Sequence, residues 1–109
     1  MEGLKLKISE QFTETPGPRF RDEGSFSGEE FRETILEKKY LECKKYNKKL
    51  IIDLDGTFGY GTSFLEEAFG GLARKYDKEE ILEYIEFISL EEPYLIDNII
   101  DYINEAERM

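Results

Sequence analysis

Two aspartates at the end of a short apolar run are the side chains in this sequence best placed to do chemistry. Asp53 lies within the run Leu50–Leu54, and Asp55 follows it directly before Gly56. Side chains alternate along a strand, so both carboxylates fall on the same side and could share a magnesium ion. A pair of this kind can supply a nucleophile and a general acid. The structural alternative makes Asp55 a turn residue and Asp53 an acceptor for nearby backbone N–H groups.

The order Asp-x-Asp-Gly-Thr at residues 53–57 is similar to the first motif of the haloacid-dehalogenase phosphatases. That resemblance implies phosphoryl transfer, which in this family also needs Mg²⁺, a later Ser or Thr, a phosphate-holding lysine and a further acidic pair. The sequence after Thr57 leaves room for only about two more strand–helix units. Lys75 and Lys78 are the later lysines, and neither follows a predicted strand. A Mg²⁺-dependent phosphatase that uses the aspartate pair is therefore an alternative that we do not favour.

A glycine-rich loop and a helix start lie immediately downstream. Three glycines between residues 56 and 61 break the chain, and Ser-Phe-Leu-Glu at 63–66 is a capping-box pattern with Ser63 as the N-cap. The free N–H groups of a helix start favour a phosphate there, whereas Glu66 and Glu67 one turn later oppose it. Two large aromatic residues, Tyr60 and Phe64, lie beside the glycines. Such residues are binding hot spots if exposed and core residues if buried.

The stretch Gly-Tyr-Gly-Thr-Ser-Phe-Leu-Glu-Glu-Ala-Phe-Gly at residues 59–70, together with Ser-Phe-Ser-Gly-Glu-Glu-Phe-Arg at 25–32, resembles the STAS-like domain family of unknown function. The resemblance extends from residue 4 to about residue 105. The wider STAS superfamily includes bacterial anti-sigma-factor antagonists. Their motif Asp-Ser-[Ser/Thr]-Gly-Leu joins a strand to a helix. Its first serine is phosphorylated by a kinase that is also the anti-sigma factor, and this kinase binds only the unphosphorylated antagonist.

Laid on this sequence, the antagonist motif puts the phosphate acceptor at Thr62 and the second hydroxyl at Ser63. Gly61 and Phe64 stand where the superfamily has Asp and Gly, which are departures from its pattern. The resemblance implies a non-enzymatic regulatory module that binds a protein partner of the histidine-kinase-like ATPase class, with no catalytic residue, metal or cofactor. The residues expected to contact that partner are Gly59, Tyr60, Gly61, Thr62, Ser63, Phe64 and Glu66.

The hydrophobic pattern predicts the elements that must position these residues. They follow the order β(β)αβαβα in one α/β domain spanning residues 1–109, a small STAS-like sandwich with a mixed sheet of about three to five strands. A short second strand at 19–21 is expected to pair back on the first, and the strand at 50–54 is expected to be central and covered on both faces. Gly70 and Gly71 are expected to let a helix approach the sheet. Sites in such sheets lie at the carboxyl ends of strands, which points to the loop 55–63.

The composition narrows the function classes further. The sequence has no histidine and one cysteine, Cys43, so it excludes His-based triads, His-ligated metals, an intrachain disulfide and a Cys-based zinc site. Residues from 50 onward hold 15 of the 25 acidic side chains but only 4 of the 15 basic ones. This half therefore repels nucleic acid and could attract a basic protein partner, although a solvated acidic face is an equal explanation. Without an apolar segment near the N-terminus we expect a cytoplasmic protein.

Two other classes of function stay open at this stage. Some STAS relatives bind small ligands, so the glycine loop could hold a small molecule or a nucleotide, although the sequence offers no phosphate-loop lysine. A viral or mobile-element inhibitor built on a STAS-like scaffold is compatible with the small size and the acidity. The sequence indicates neither the identity of the partner nor the oligomeric state.

Overall fold

Three parallel strands form the sheet, and they lie side by side in the order in which they occur in the sequence. The computed structural model describes residues 3–108. Strand β1 (Gly3–Lys7) pairs with the central strand β2 (Lys49–Asp53), which pairs with β3 (Ile85–Ile88). Both pairings are parallel. The α/β class predicted from the sequence is confirmed, with a strand number at the lower end of the predicted range. The prediction of a mixed sheet was wrong, because both neighbours of β2 reach it through helical crossovers and run parallel to it.

Helices connect and follow these strands. Helix α1 is a single turn (Ile8–Gln11), and a 3₁₀ turn covers Arg21–Glu23. Two long helices each have a π-helical middle, and both are continuous because the joining residues have helical dihedrals. Their segments are Gly28–Phe31, Arg32–Leu36 and Glu37–Lys45 in α2, and Thr62–Leu65, Glu66–Gly70 and Gly71–Lys75 in α3. Helices α4 (Lys78–Tyr84) and α5 (Tyr94–Glu105) complete the order.

The helices cover one face of the sheet. Leu6, Ile52 and Phe87 are aligned across the three strands, and the first two are completely buried. In the neighbouring row on the opposite face, Lys5 and Glu86 are exposed. Two ion pairs cross the strands on that face: Lys5 Nζ lies 3.5 Å from Asp53 Oδ2, and Lys49 Nζ lies 3.8 Å from Glu86 Oε1.

Strand order explains why only one face is covered. Crossovers between parallel strands are right-handed almost without exception, and here both crossovers move in the same direction across the sheet. Such crossovers place their helices on the same side. The prediction that β2 is covered on both faces was therefore wrong, because both-face cover needs a reversal of strand order.

The segment between α1 and α2 contains the clearest departure from the predicted elements. The strand expected at 19–21 is absent from it, and the chain there bends into the 3₁₀ turn. Pro18 and Arg19 offer their carbonyl oxygens to the N–H groups of Gly28 and Glu29, at distances of 2.9 and 3.0 Å. These backbone groups thus bond to the start of α2 and not to β1. Ser27 caps α2 as predicted, since its Oγ accepts from Glu30 N at 3.0 Å.

A buried ionic cluster joins the π-helical middles of α2 and α3. Arg32 Nη2 lies 2.7 Å from Glu67 Oε2, and both side chains are about nine-tenths buried. Glu66 pairs with two further arginines, at 2.6 Å from Arg19 and 2.8 Å from Arg74. These five residues are called the ionic cluster below.

Gly70 and Gly71 make room for the ionic cluster. A Cβ at Gly71 would lie 2.6 Å from Arg32 Nε, and one at Gly70 would lie 2.5 Å from Glu66 Oε2. The expectation that these glycines bring α3 closer to the sheet was wrong, because the atoms they spare belong to charged side chains.

Candidate functional site

Three loops meet at the carboxyl ends of the strands, which is where parallel sheets place their sites. The loop after β2 is joined to the segment after α1 by a hydrogen bond from Phe58 N to Glu14 O at 2.8 Å. It is joined to the loop after β3 by the carboxylate of Asp55, which accepts from Leu90 N at 3.1 Å and from Glu91 N at 3.0 Å. In turn, the side-chain carboxylate of Glu91 accepts a hydrogen bond from Gly56 N. The three loops therefore form one connected surface.

The two aspartates that opened the sequence analysis have structural partners. Asp53 is 5% exposed, and its Oδ1 accepts from Asp55 N at 3.0 Å while its Oδ2 faces Lys5. Both oxygens of Asp55 are used by the loop after β3. These contacts match the structural alternative, in which Asp53 accepts from backbone and Asp55 holds a turn. Among residues 3–108, the acidic, His and Cys side chains form no group of three or more arranged to hold a metal ion.

The glycine-rich loop has a fixed backbone. Gly56 and Gly59 have φ angles of 93° and 130°, values that side chains other than hydrogen rarely permit. Thr57 Oγ1 accepts from Gly59 N at 3.3 Å, and Tyr60 donates its hydroxyl to Leu54 O at 2.8 Å. The loop is therefore pinned by its own side chains at both ends.

Two of the expected contact residues are directed inward. Phe64 is completely buried, and its ring stacks on Phe31 with centroids 5.9 Å apart. Tyr60 is half-buried against the core, where burial raises the pKa of its hydroxyl. The prediction that Phe64 contacts a partner is corrected by its burial, and Tyr60 offers only part of its ring.

Thr62 and Ser63 are exposed in the first turn of α3. The expectation that Ser63 is the N-cap was wrong: the helix begins at Thr62, and Gly61 occupies the N-cap with φ −75° and ψ 149°. Asp suits an N-cap better than Gly because its carboxylate accepts a backbone N–H, so Gly61 forgoes a bond that the superfamily residue could make. Glu66, expected to reach back to the cap, is instead held by two arginines of the ionic cluster.

That pairing changes the electrostatics next to Thr62. Glu66 and Glu67 oppose a phosphate in the sequence, yet each is paired with arginines in the ionic cluster. A hydrogen bond from Arg74, helped by Arg19 against the opposing effect of burial, lowers the pKa of Glu66. Because arginine charges compensate both glutamates, an anion at the first turn of α3 meets less repulsion than the sequence indicates.

The carboxyl edge also presents apolar side chains that the sequence analysis did not select. Phe58 is 84% exposed, Leu90 82% and Tyr94 58%. We call these three residues the apolar edge. Phe58 lies between Gly56 and Gly59 in the loop after β2, where an aromatic residue has little local surface to bury it. Its exposure could therefore have been predicted from the sequence. The local sequence of Leu90 gives no such signal, because a leucine just after an apolar segment is as often buried as exposed.

Comparison with known proteins gives a match at the level of the family. The family model described as STAS-like domain of unknown function (DUF4325) matches residues 27–95, from the N-cap of α2 to the start of α5. No curated protein and no solved structure gave a significant match. In residues 3–108, no helix has the length and apolar character needed to cross a membrane. The matched region includes β2, β3 and the whole glycine-rich loop, and the chain belongs to the family of STAS-like domains of unknown function.

Proposed function

We propose that this chain is a non-enzymatic regulatory module that binds a protein partner through the loop and helix start at 57–66. The observation that carries the proposal is the exposure of Thr62 and Ser63 on the first turn of a helix that follows the central strand. This is the place that the antagonist motif of the STAS superfamily occupies. The partner is of the histidine-kinase-like ATPase class, as the resemblance implies.

Phosphorylation of Thr62 is the proposed control. Its hydroxyl is exposed, and the first backbone N–H groups of α3 favour a phosphate in this position. The arginines that pair with Glu66 and Glu67 support the same site, since they reduce the negative charge one turn away. A phosphate adds about two negative charges at neutral pH and three acceptor oxygens, which is enough to block a docked surface. The proposed transfer from ATP requires a compartment that supplies ATP, so the proposal includes a cytoplasmic location.

The test is affinity capture from host lysate with and without ATP, followed by intact-mass measurement of the recovered bait. We expect one ATPase to be retained without ATP, and in ATP we expect a mass gain of one phosphate that maps to Thr62 and lowers retention. Thr62→Glu should lower retention without ATP. Thr34→Glu is the matched control, because Thr34 is an exposed threonine on α2 and the substitution adds the same charge.

Two results would contradict the proposal. Capture that yields no ATPase in either condition would remove the partner class. Equal retention by Thr62→Glu and Thr34→Glu would show that the start of α3 does not face the partner. The variants should first be shown to unfold at the wild-type temperature, so that neither result comes from a damaged fold.

A further inference from the structure

We infer that the apolar edge is the anchor of the partner interface and that the partner segment it receives is basic, with at least one aromatic or aliphatic side chain. The inference rests on the proposed function, because it names the chemistry of that same partner. It adds Leu90 and Tyr94 to the interface, and both lie outside the 57–66 segment. Exposure, rigidity and charge each support it.

The first argument is the exposure of the three side chains of the apolar edge. Phe58 and Leu90 are the most exposed of the large apolar side chains that the structure describes, at 84% and 82%. Single exposed apolar residues are common, but these two are on loops that hydrogen-bond to each other through Asp55. Tyr94 opens α5 four residues after Leu90 and is 58% exposed. Exposed aromatic residues such as Phe58 and Tyr94 are enriched in the centres of protein interfaces.

Rigidity is the second argument. Asp55 holds the loop after β3 with two hydrogen bonds, and Phe58 N is tied to Glu14 O. Within the same loop, Thr57 Oγ1 accepts a hydrogen bond from Gly59 N. A side chain presented on a fixed backbone loses little conformational entropy on binding, so its exposed surface converts more fully into affinity. A flexible loop that is merely polar and solvated would not need these bonds.

Charge selects the partner. The three loops at the carboxyl edge hold more acidic than basic side chains. Lys7 ends β1 beside the loop after β2, where its Cε would lie 3.5 Å from a Cβ at Gly56, and Lys5 is paired with Asp53. The acidic side chains on these loops or next to them in the sequence include Glu10, Glu14, Asp55, Glu91, Glu92 and Asp97. Because acidic side chains outnumber basic ones here, a partner with positive charges around an apolar anchor is attracted and an acidic partner is repelled.

The experiment selects short random peptides displayed on phage against the wild-type chain. The recovered peptides are synthesised with a fluorescent label, and their binding is measured by anisotropy at low and high salt. We expect recovered peptides with net positive charge and at least one aromatic or aliphatic residue. Their binding should weaken about tenfold or more in Phe58→Ala/Leu90→Ala and should also weaken at high salt.

The control variant is Leu41→Ala/Tyr46→Ala. It removes two exposed apolar side chains, Leu41 in the C-terminal part of α2 at 41% exposure and Tyr46 at its C-cap at 60%, and like the test variant it leaves every charge in place. It should bind the peptides as the wild type does. Because the protein is acidic overall, any basic peptide feels some attraction, and only the comparison of these two variants isolates the apolar edge.

Three outcomes would overturn the inference: no enriched peptide, enriched peptides that are acidic or neutral, or equal losses in the two double variants. The experiment also separates this inference from the proposed function. An ATPase captured equally by wild type and Phe58→Ala/Leu90→Ala leaves the proposed function intact and removes the anchor. Peptide binding that depends on the apolar edge without any captured ATPase supports the anchor and removes the partner class.

Discussion

Asp55 connects two loops of the carboxyl edge with a single carboxylate, which accepts from Leu90 N and Glu91 N. We expect Asp55→Ala to lower the free energy of unfolding by about 1–2 kcal/mol, because two backbone donors lose a charged acceptor. Asp55→Asn, which keeps one acceptor, should cost about half as much. Urea unfolding followed by circular dichroism measures both.

Asp101→Ala is the comparison for Asp55, because Asp101 is an exposed aspartate on α5. Its free energy of unfolding should stay within about 0.5 kcal/mol of the wild type. If Asp55→Ala behaves in the same way, water replaces the carboxylate without loss and Asp55 is not what joins the loops.

At the scale of residues, the sequence predicts which residues form the loop and helix start better than it predicts where their side chains point. Thr62 was located by motif, and it is exposed. Phe64 and Phe58 are both phenylalanines near glycines, yet one is completely buried and the other is 84% exposed. Helix periodicity could have assigned Phe64 to the face that also holds Ala68. Nothing in the local pattern of Phe58 fixes its direction, because the loop geometry depends on hydrogen bonds to Glu14, far away in sequence.

Helices α2 and α3 approach each other closely where Gly28 meets the backbone of Phe64. A Cβ on Gly28 would lie 2.5 Å from Phe64 O and 3.1 Å from its Cα. Backbone atoms cannot rotate away, so we expect Gly28→Ala to push the two helices apart and to lower the free energy of unfolding by about 1–3 kcal/mol. Thermal and urea unfolding would measure the change.

Gly61→Ala provides the matched control for this helix contact. Its φ of −75° suits any residue, and a Cβ there would meet no heavy atom within 4 Å. Ala is a weaker N-cap than Gly, but it also lowers the conformational entropy of the unfolded chain. Because these two effects oppose each other, the free energy of unfolding should stay within about 0.5 kcal/mol of the wild type. Equal losses in the two variants would mean that the glycines matter for backbone freedom and that the close contact at Gly28 does not.

At the scale of elements, the sequence predicts the long helices and the three strands of the sheet, but it wrongly adds a strand at 19–21 and does not predict the π-helical segments. The 3.6-residue spacing of apolar residues in α3 agrees with its buried face, and Ser27 marks the start of α2. The π-helical segments at Arg32–Leu36 and Glu66–Gly70 carry no such pattern. They face each other across the ionic cluster, and that pairing is tertiary information which neither helix contains alone.

The whole molecule should become less stable in acid through the ionic cluster. The pKa of Glu66 is lowered in the folded state, and the hydrogen bond from Arg74 is the largest cause. Ionised Glu66 therefore stabilises the folded state above the ordinary carboxyl pKa of about 4.3. This stabilisation is lost as the pH falls through the pKa of Glu66 in the folded state. We expect the free energy of unfolding to decrease from about pH 5 downward. Glu66→Gln should start lower and should depend less on pH over that range.

Glu42→Gln is the control for this pH dependence, because Glu42 is exposed on α2. It should keep the wild-type slope when urea unfolding is repeated at several pH values between neutral and acid. A wild-type slope in Glu66→Gln would assign the acid sensitivity to carboxylates other than Glu66.

At the scale of the molecule, the α/β class and the family were within reach of the sequence, because helix and strand periods alternate and the 59–70 motif is specific. The uncovered face of the sheet could not be predicted from the sequence. An apolar strand such as Leu50–Leu54 suggests cover on both sides, yet Ile51 is only partly buried and its neighbours Lys5 and Glu86 are exposed. The direction of each crossover decides which face is covered, and a single sequence does not carry that direction.

The order β1-β2-β3 has a consequence for how the sheet can be made. Each strand pairs with the one that left the ribosome before it, so a nascent chain can extend the sheet at its growing edge and never has to open a formed pair to insert a strand. Each addition still waits for a complete helical connection, because parallel neighbours cannot form a hairpin. Synthesis and folding can thus proceed in the same direction, one strand–helix unit at a time.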